Sequence, residues 1–210
     1  MSFTKRLSKI LSLAPVCDVL ADVGCDHGKL GVAAIECKKA QKVIFTDISA
    51  PSLAKARELA KRRGVEDRCE FFCGSGLCGK TADCAVVAGM GGKEILAILS
   101  QATELPQSLV LNPMRGAPQL RQALQKDYFF EYDQKFFDGK YYDLMLLKRG
   151  GDLLDEKQIK YGKTNLADFC QDFNNYLLSE KQKCDIILNK AFSQSVKDRR
   201  EEIVSLLKGL

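Results

Sequence analysis

The sequence predicts an α/β protein: a doubly wound, mostly parallel sheet followed by a C-terminal α-helical hairpin. Three observations predict it. The apolar run Val16 to Ala21 enters the glycine-punctuated turn Asp22-Val23-Gly24-Cys25-Asp26-His27-Gly28 and then a helical pattern from Leu30. That is the strand, turn and helix of a nucleotide-type cofactor site. Short apolar runs ending in Gly, Asn or Asp then alternate with helical stretches as far as Lys126. Beyond Gly150-Gly151-Asp152 the apolar residues follow a helical period to the end of the chain.

The elements follow in order. Leu7, Ile10 and Leu11 form the apolar side of a short leading helix that covers one end of the sheet. Strand one is Val16 to Val23, followed by a helix over Leu30 to Ala40. Strand two, Lys42 to Asp47, is apolar and ends on an acid; Pro51-Ser52 starts the next helix and Gly64 stops it. Strand three is Cys69 to Cys73, and strand four, Cys84 to Ala88, leads through Gly89-Met90-Gly91-Gly92 into a helix over Lys93 to Ala102. Strand five, Ser108 to Leu111, precedes a helix over Pro118 to Lys126. Two aromatic-rich strands, Phe129 to Phe137 and Tyr141 to Lys148, flank the hairpin signal Asp138-Gly139-Lys140. Five strand–helix units capped by an antiparallel hairpin describe the Rossmann-like sheet of class I methyltransferases, with the ligand crevice at the carboxyl ends of the central strands.

Gly150-Gly151-Asp152 reads as a boundary between a cofactor-binding domain, 1–150, and a helical arm, 151–210. Leu166, Cys170, Phe173, Leu177, Cys184, Ile187 and Ala191 follow alternating four-and-three spacing, with Glu180 interrupting the seam. The spacing predicts one helix of about 28 residues, roughly 42 Å long. A second run through Val196, Ile203, Val204 and Leu207 would pair with it as an antiparallel, coiled-coil hairpin. Such an arm serves either for packing and dimerisation or for gripping a substrate.

At 210 residues the chain suits one ordinary domain plus an appendage. No apolar run approaches a membrane span, and Met1 to Lys9 lacks the charged-then-apolar layout of a signal peptide. The nine cysteines are therefore expected as reduced thiols in a cytoplasmic protein. No C-x-x-C occurs and His27 is the sole histidine, which argues against structural zinc; Cys69, Cys73 and Cys78 leave an iron–sulfur site as the minor alternative. The charge is uneven. Residues 1–150 carry 22 Lys+Arg against 17 Asp+Glu, whereas residues 151–210 carry 10 of each. The excess gathers partly at Lys38, Lys39 and Lys42 and at Lys61-Arg62-Arg63 with Arg68, either as solvated helix ends or as a phosphate-contacting patch.

The first turn discriminates among cofactors. Asp26 stands where the dinucleotide fingerprint has its second glycine, so an approaching pyrophosphate would meet a carboxylate. A cofactor bearing a sulfonium and a free ammonium would not be repelled, and the turn favours S-adenosylmethionine over NAD or FAD. Asp22, Gly24, Cys25, Asp26, His27 and Gly28 form the turn. Asp47, 19 positions beyond Gly28, is at the spacing of a ribose-binding carboxylate, with Ile48 beside it. Gly74-Ser75 reads either as an adenine contact or as a simple turn, and Ala88, Gly89 and Met90 let backbone approach a ligand closely.

The combination "ADVGCDHGKLG", "TDIS", "CGSGL", "VVAGMGGKEIL" and "LVLNPM" resembles the bacterial tRNA (adenine-N1)-methyltransferases that act on adenosine 22, the TrmK family. "DGKYYDLML" resembles that family's late hairpin, and "YGKTNLADF…YLLSEKQK" the start of its helical arm. The resemblance implies a Rossmann-like catalytic domain, S-adenosylmethionine as cofactor, tRNA as partner, and a coiled-coil arm that helps to hold it; the alternatives are a methyltransferase acting on another RNA site, a protein or a small molecule, and a catalytically silent RNA-binding module. It places the family's catalytic aspartate at Asp26. A neutral adenine N1 would attack the methyl group directly. Asp26 would stabilise the positive charge developing on the purine and could accept a proton from the exocyclic amine, or would serve only to hold the cofactor. Asn112 beside Pro113 reads either as a reader of the base or as a cap. Tyr141 or Tyr142 would stack on the base or belong to the core. The expected assembly is a monomer or weak homodimer, with no membrane and no metal.

Overall fold

The computed structural model describes residues 3–208. The chain runs α1 (Lys5–Leu13), β1 (Cys17–Val23), α2 (Lys29–Glu36), β2 (Ala40–Asp47), α3 (Ala50–Arg62), β3 (Cys69–Cys73), β4 (Cys84–Ala88), α4 (Gly92–Ser100), β5 (Ser108–Asn112), α5 (Ala117–Leu124), β6 (Tyr128–Asp138) and β7 (Lys140–Arg149). The helical part follows as α6 (Glu156–Tyr161), α7 (Lys163–Asp168), α8 (Gln171–Lys190) and α9 (Gln194–Lys208). The strands form one seven-stranded sheet in the order β3-β2-β1-β4-β5-β7-β6. β1 to β5 are parallel, while β7 runs antiparallel to both β5 and β6.

Burial on both faces explains the strand sequences. Leu20, Val43, Phe45, Val86 and Val110 point to one face, where α1, α2 and α3 contribute Ile10, Ile35 and Leu53. Ala21, Val23, Ile44, Val87, Leu109 and Leu111 point to the other, against Ile95 and Leu99 of α4 and Leu120 and Leu124 of α5. Alternate residues face opposite sides, so a strand buried on both reads as an unbroken apolar run. Each fully buried aliphatic side chain contributes about 1.5–3 kcal/mol. The strand order reverses between β1 and β4, and a crevice opens outside their carboxyl ends.

Two helices differ from their sequence patterns. The helix expected over Leu30 to Ala40 stops at Glu36: Lys38 turns into the left-handed region (φ +57°), and Ala40 pairs with Cys17 at the start of β2. The Lys38 turn has neither Gly nor Asn to announce it. The long arm helix is likewise divided. Leu166 lies on α7, Phe169 adopts φ +47°, and Cys170 is the N-cap of a 20-residue α8. α8 and α9 pack over a small core of Phe173, Leu177, Cys184 and Ile203, whereas Ile187 is exposed. Glu180, which interrupts the apolar seam, is buried there and paired with Lys183 and Arg199.

The arm is joined to the sheet by buried charge. Arg121 on α5 donates through Nε and one terminal nitrogen to the two carboxylate oxygens of Asp133 on β6, both at 2.7 Å. It reaches Asp143 on β7 at 3.1 Å and the Ile159 carbonyl on α6 at 3.2 Å. Asp133 also accepts from the Lys163 backbone N–H at the start of α7. Burial works to raise the Asp143 carboxyl, but Lys135 and Arg121 beside it hold it below the usual carboxylate range. Removing one member of such a cluster strands the others in low dielectric. Arg121→Ala is expected to cost about 3–5 kcal/mol in chemical denaturation, with amide exchange rising in α6 and α7 before it rises in β1 or β4.

Candidate active-site cleft

β2 holds the turn after β1 in place. The Thr46 carbonyl accepts from Gly24 N–H at 2.8 Å and from Cys25 N–H at 3.1 Å. Asp47 Oδ2 accepts from the backbone N–H of Asp26 at 3.0 Å, and its Oδ1 from Ser49 N–H at 2.9 Å. The turn needs this support, because Gly24, Asp26 and Gly28 all have positive φ, and Asp26 is not a glycine. A Cβ on Gly24 would lie 2.1 Å from Met90 Cε, so the glycine lets the loop after β4 close against the turn.

A cleft of about 940 Å³ lies over this edge of the sheet, within the size range of small-molecule sites. Asp22, Gly24, Cys25, Asp26, His27, Asp47, Ile48, Gly74, Ser75, Ala88, Gly89 and Met90 all line it. Gly28 does not. It sits behind the turn, where a Cβ would lie 2.6 Å from that of Ala56, so its part is to let α2 pack on α3. Asn112 and Pro113 are buried. The Asn112 amide is engaged at both ends, its Oδ1 accepting from Arg6 at 2.7 Å and its Nδ2 donating to the Asp143 carbonyl at 2.9 Å. Tyr141 packs between Phe137 and Tyr176, against the arm, and Tyr142 lies under the Arg6 guanidinium. The cleft also takes in Arg6, Lys29, Glu94 and Ile98. Arg6 had no local signal: it arrives from α1 across 106 positions to meet Asn112.

The cleft has two zones of charge. Asp22 is buried, its Oδ2 accepting from Gly31 N–H at 2.9 Å. Burial pushes its carboxyl up to about 7, opposed by the Gly31 N–H and reinforced by Asp47 and Asp26. Asp26 and His27 are exposed at the mouth, with His27 Nδ1 2.6 Å from Asp26 Oδ2. Each oxygen of the Asp47 carboxylate accepts one backbone N–H and keeps a further acceptor site, as a vicinal diol requires. Ile48, 80% exposed, offers an apolar platform beside it. Burial raises the Cys25 thiol well above the ordinary range, which makes it a packing group and not a nucleophile. All nine cysteines are free, and among the described residues no three His, Cys, Asp or Glu side chains lie together where they could hold a metal ion. No described helix is long and apolar enough to cross a membrane.

A family model described as a methyltransferase domain matches residues 3–145. The tRNA (adenine(22)-N(1))-methyltransferase of Bacillus subtilis (strain 168) is 28% identical over 158 residues, covering 71% of this chain and 66% of that protein. Relatives from Mycoplasma pneumoniae and Mycoplasma genitalium match over 49% and 57% of their own lengths, so each of these alignments spans less than two thirds of the curated relative. Among solved structures, M. capricolum TrmK in complex with S-adenosyl-homocysteine superposes with a TM-score of 0.83 at 21% identity, over 99% of this chain and 97% of that one. The B. subtilis m1A22 tRNA methyltransferase TrmK gives 0.78 at 23% identity, over 99% and 96%. The shared fold thus extends through the helical arm.

Asp22 yields a pH test. Its native carboxyl stays protonated up to about 7, whereas the unfolded chain releases that proton near 3.8. Between those values the unfolded state binds fewer protons, so this group makes stability fall as pH rises. Asp22→Asn keeps the acceptor for Gly31 and removes the titration. Its stability relative to wild type is expected to improve by on the order of 2–4 kcal/mol between pH 4 and pH 7, measured by urea unfolding of the ligand-free protein.

Proposed function

Because the chain belongs to the methyltransferase-domain family, we propose that it transfers a methyl group from S-adenosylmethionine to N1 of adenosine 22 in tRNA. The observation that carries this reading is the gathering of Asp22, Asp26 and Asp47 around one cleft on the glycine turn. The resemblance to the B. subtilis enzyme and to TrmK, arm included, supports the same substrate.

The residues present fit the cofactor. Among the described residues no cation pairs with the buried Asp22, and an ammonium group would supply one. The spare acceptor sites of Asp47 suit the ribose hydroxyls, and Ile48 gives the adenine an apolar face. Bound there, S-adenosylmethionine supplies an electrophilic methyl group on a sulfonium.

The chain's own work is to present the base and to accommodate its charge. N1 lies on the Watson–Crick edge, so a paired or stacked adenine must leave its stack to reach the cleft. Asp26 at the mouth, one oxygen held by His27, can accept from the exocyclic amine through the other and stabilise the positive charge that grows on the ring. Asn112 becomes available to a base only when Arg6 releases its Oδ1, which makes Arg6 a positioning residue for entry.

Incubation with unmodified bulk tRNA and labelled S-adenosylmethionine is expected to yield N1-methyladenosine, and none from tRNA carrying a different base at position 22. Asp26→Asn is expected to lower kcat by about 10²- to 10⁴-fold with little change in cofactor affinity. Tight cofactor binding without label in tRNA would refute the substrate, and full turnover by Asp26→Asn would refute the catalytic role.

A further inference from the structure

We infer that α3 carries a binding groove for the phosphodiester backbone of the RNA on the 3′ or 5′ side of the target nucleotide, an inference that rests on the reading of the substrate as tRNA. A groove of about 560 Å³ runs from the cleft mouth along α3 and the start of α2. His27 and Lys29 line both the groove and the cleft, so the two are continuous. From there the groove is bordered by Lys55, Glu58, Arg62 and Arg63, which fall on one stripe of α3 and its C-cap at helical spacing.

The charge of this surface is one-sided. Four cations face a single acid, Glu58, which meets Arg62 at 3.7 Å with both side chains about two-thirds exposed. Arg63 meets Glu36 at 3.5 Å, outside the groove, while Lys29 and Lys55 have no ion pair among the described residues. Exposed pairs of this kind are weak and exchange readily for a phosphate.

The shape selects the ligand. Residues 55 to 63 rise over about 12 Å of helix, a row of long side chains rather than a closed cradle. Such a row suits successive phosphates of a strand more than one terminal phosphate group. The other basic cluster lies elsewhere. Lys38, Lys42 and Arg68 border a depression at the amino ends of β1, β2 and β5, shared with Asp18 and Asp83, and so stand at the end of the sheet opposite the cleft. The run Lys61-Arg62-Arg63 with Arg68 is therefore split by the fold, and only its α3 part lies on the path of a strand whose base enters the cleft. The arm, with 10 cations against 10 acids, has no comparable excess.

The test compares Lys55→Glu/Arg62→Glu and the milder Lys55→Gln/Arg62→Gln with the wild type. The readouts are tRNA affinity across a salt series, kcat at saturating tRNA, and S-adenosylhomocysteine affinity. The charge-reversed variant is expected to bind tRNA at least tenfold more weakly, and the neutral variant to fall between. The slope of log affinity against log salt should fall by about one to two, with kcat and S-adenosylhomocysteine affinity within twofold. Lys38→Glu/Lys42→Glu should leave all three unchanged. Wild-type affinity and slope in both α3 variants would overturn the groove while tRNA methylation stands. A wild-type protein that binds no tRNA would overturn both. Binding of inorganic triphosphate that Lys55→Glu/Arg62→Glu abolishes, with tRNA affinity intact, would assign the groove to a free phosphate ligand instead.

Discussion

The carboxyl edge of the sheet depends on how β2 fastens the turn that follows β1. Three residues in five take left-handed backbone angles there, and one of them is an aspartate. Left-handed backbone costs a non-glycine residue on the order of 1 kcal/mol, and the exposed Asp26 side chain buries no apolar surface to offset it. What offsets it is four hydrogen bonds: two from Gly24 and Cys25 to the Thr46 carbonyl, one from Asp26 to the Asp47 carboxylate, and one closing Gly28 on Cys25. The same bonds place the acids. Because the Asp26 backbone N–H is tied to the Asp47 carboxylate, the two residues keep a fixed relation across the cleft mouth.

A second constraint acts on the arm. The helices after β7 have too little apolar surface of their own, with only five residues in their buried core cluster, to hold an orientation independently. The Arg121 guanidinium supplies the orientation. It is 1% exposed and bonds to β6, β7 and α6 at once. An apolar replacement of the whole cluster would be compatible with stability, but it would not fix direction, since dispersion contacts tolerate sliding and a bidentate ion pair does not. The arm, with as many cations as acids, is thereby set at one angle to the sheet.

The strands were legible in the sequence because burial on both faces leaves a short apolar run with a polar or glycine end, and few other structures produce one. The gathering of Asp22, Gly24, Asp26 and Asp47 at one cleft was legible for the same reason: all lie at strand ends or in the turn, where sequence distance and spatial distance agree. The helix ends were not. Lys38 and Phe169 take left-handed angles without being Gly or Asn, and what holds them is a local closure that residue type does not announce: Lys39 N–H closes on the Ala34 carbonyl, and the Phe169 ring packs on Phe173. Arg6 was hidden because its partners are more than a hundred positions away.

Asn112 shows where local reasoning stops. An Asn before a Pro at the end of a parallel strand is well placed to meet a base, yet here its amide is fully buried and its carbonyl oxygen is taken by Arg6. An accessible acceptor that close to a cleft would attract water or a wrong ligand. A guanidinium laid over Tyr142 and tied through its own backbone N–H to Asp138 satisfies that acceptor while remaining at the cleft wall. The cost of withdrawing it falls on whatever enters. A base able to donate from an exocyclic amine to the freed oxygen recovers that cost, and one without such an amine leaves a buried acceptor unpaired, at about 1–3 kcal/mol. Under the proposed function this exchange favours bases that carry an exocyclic amine, because the closing group must be replaced like for like, while telling a purine from a pyrimidine falls to the rest of the cleft.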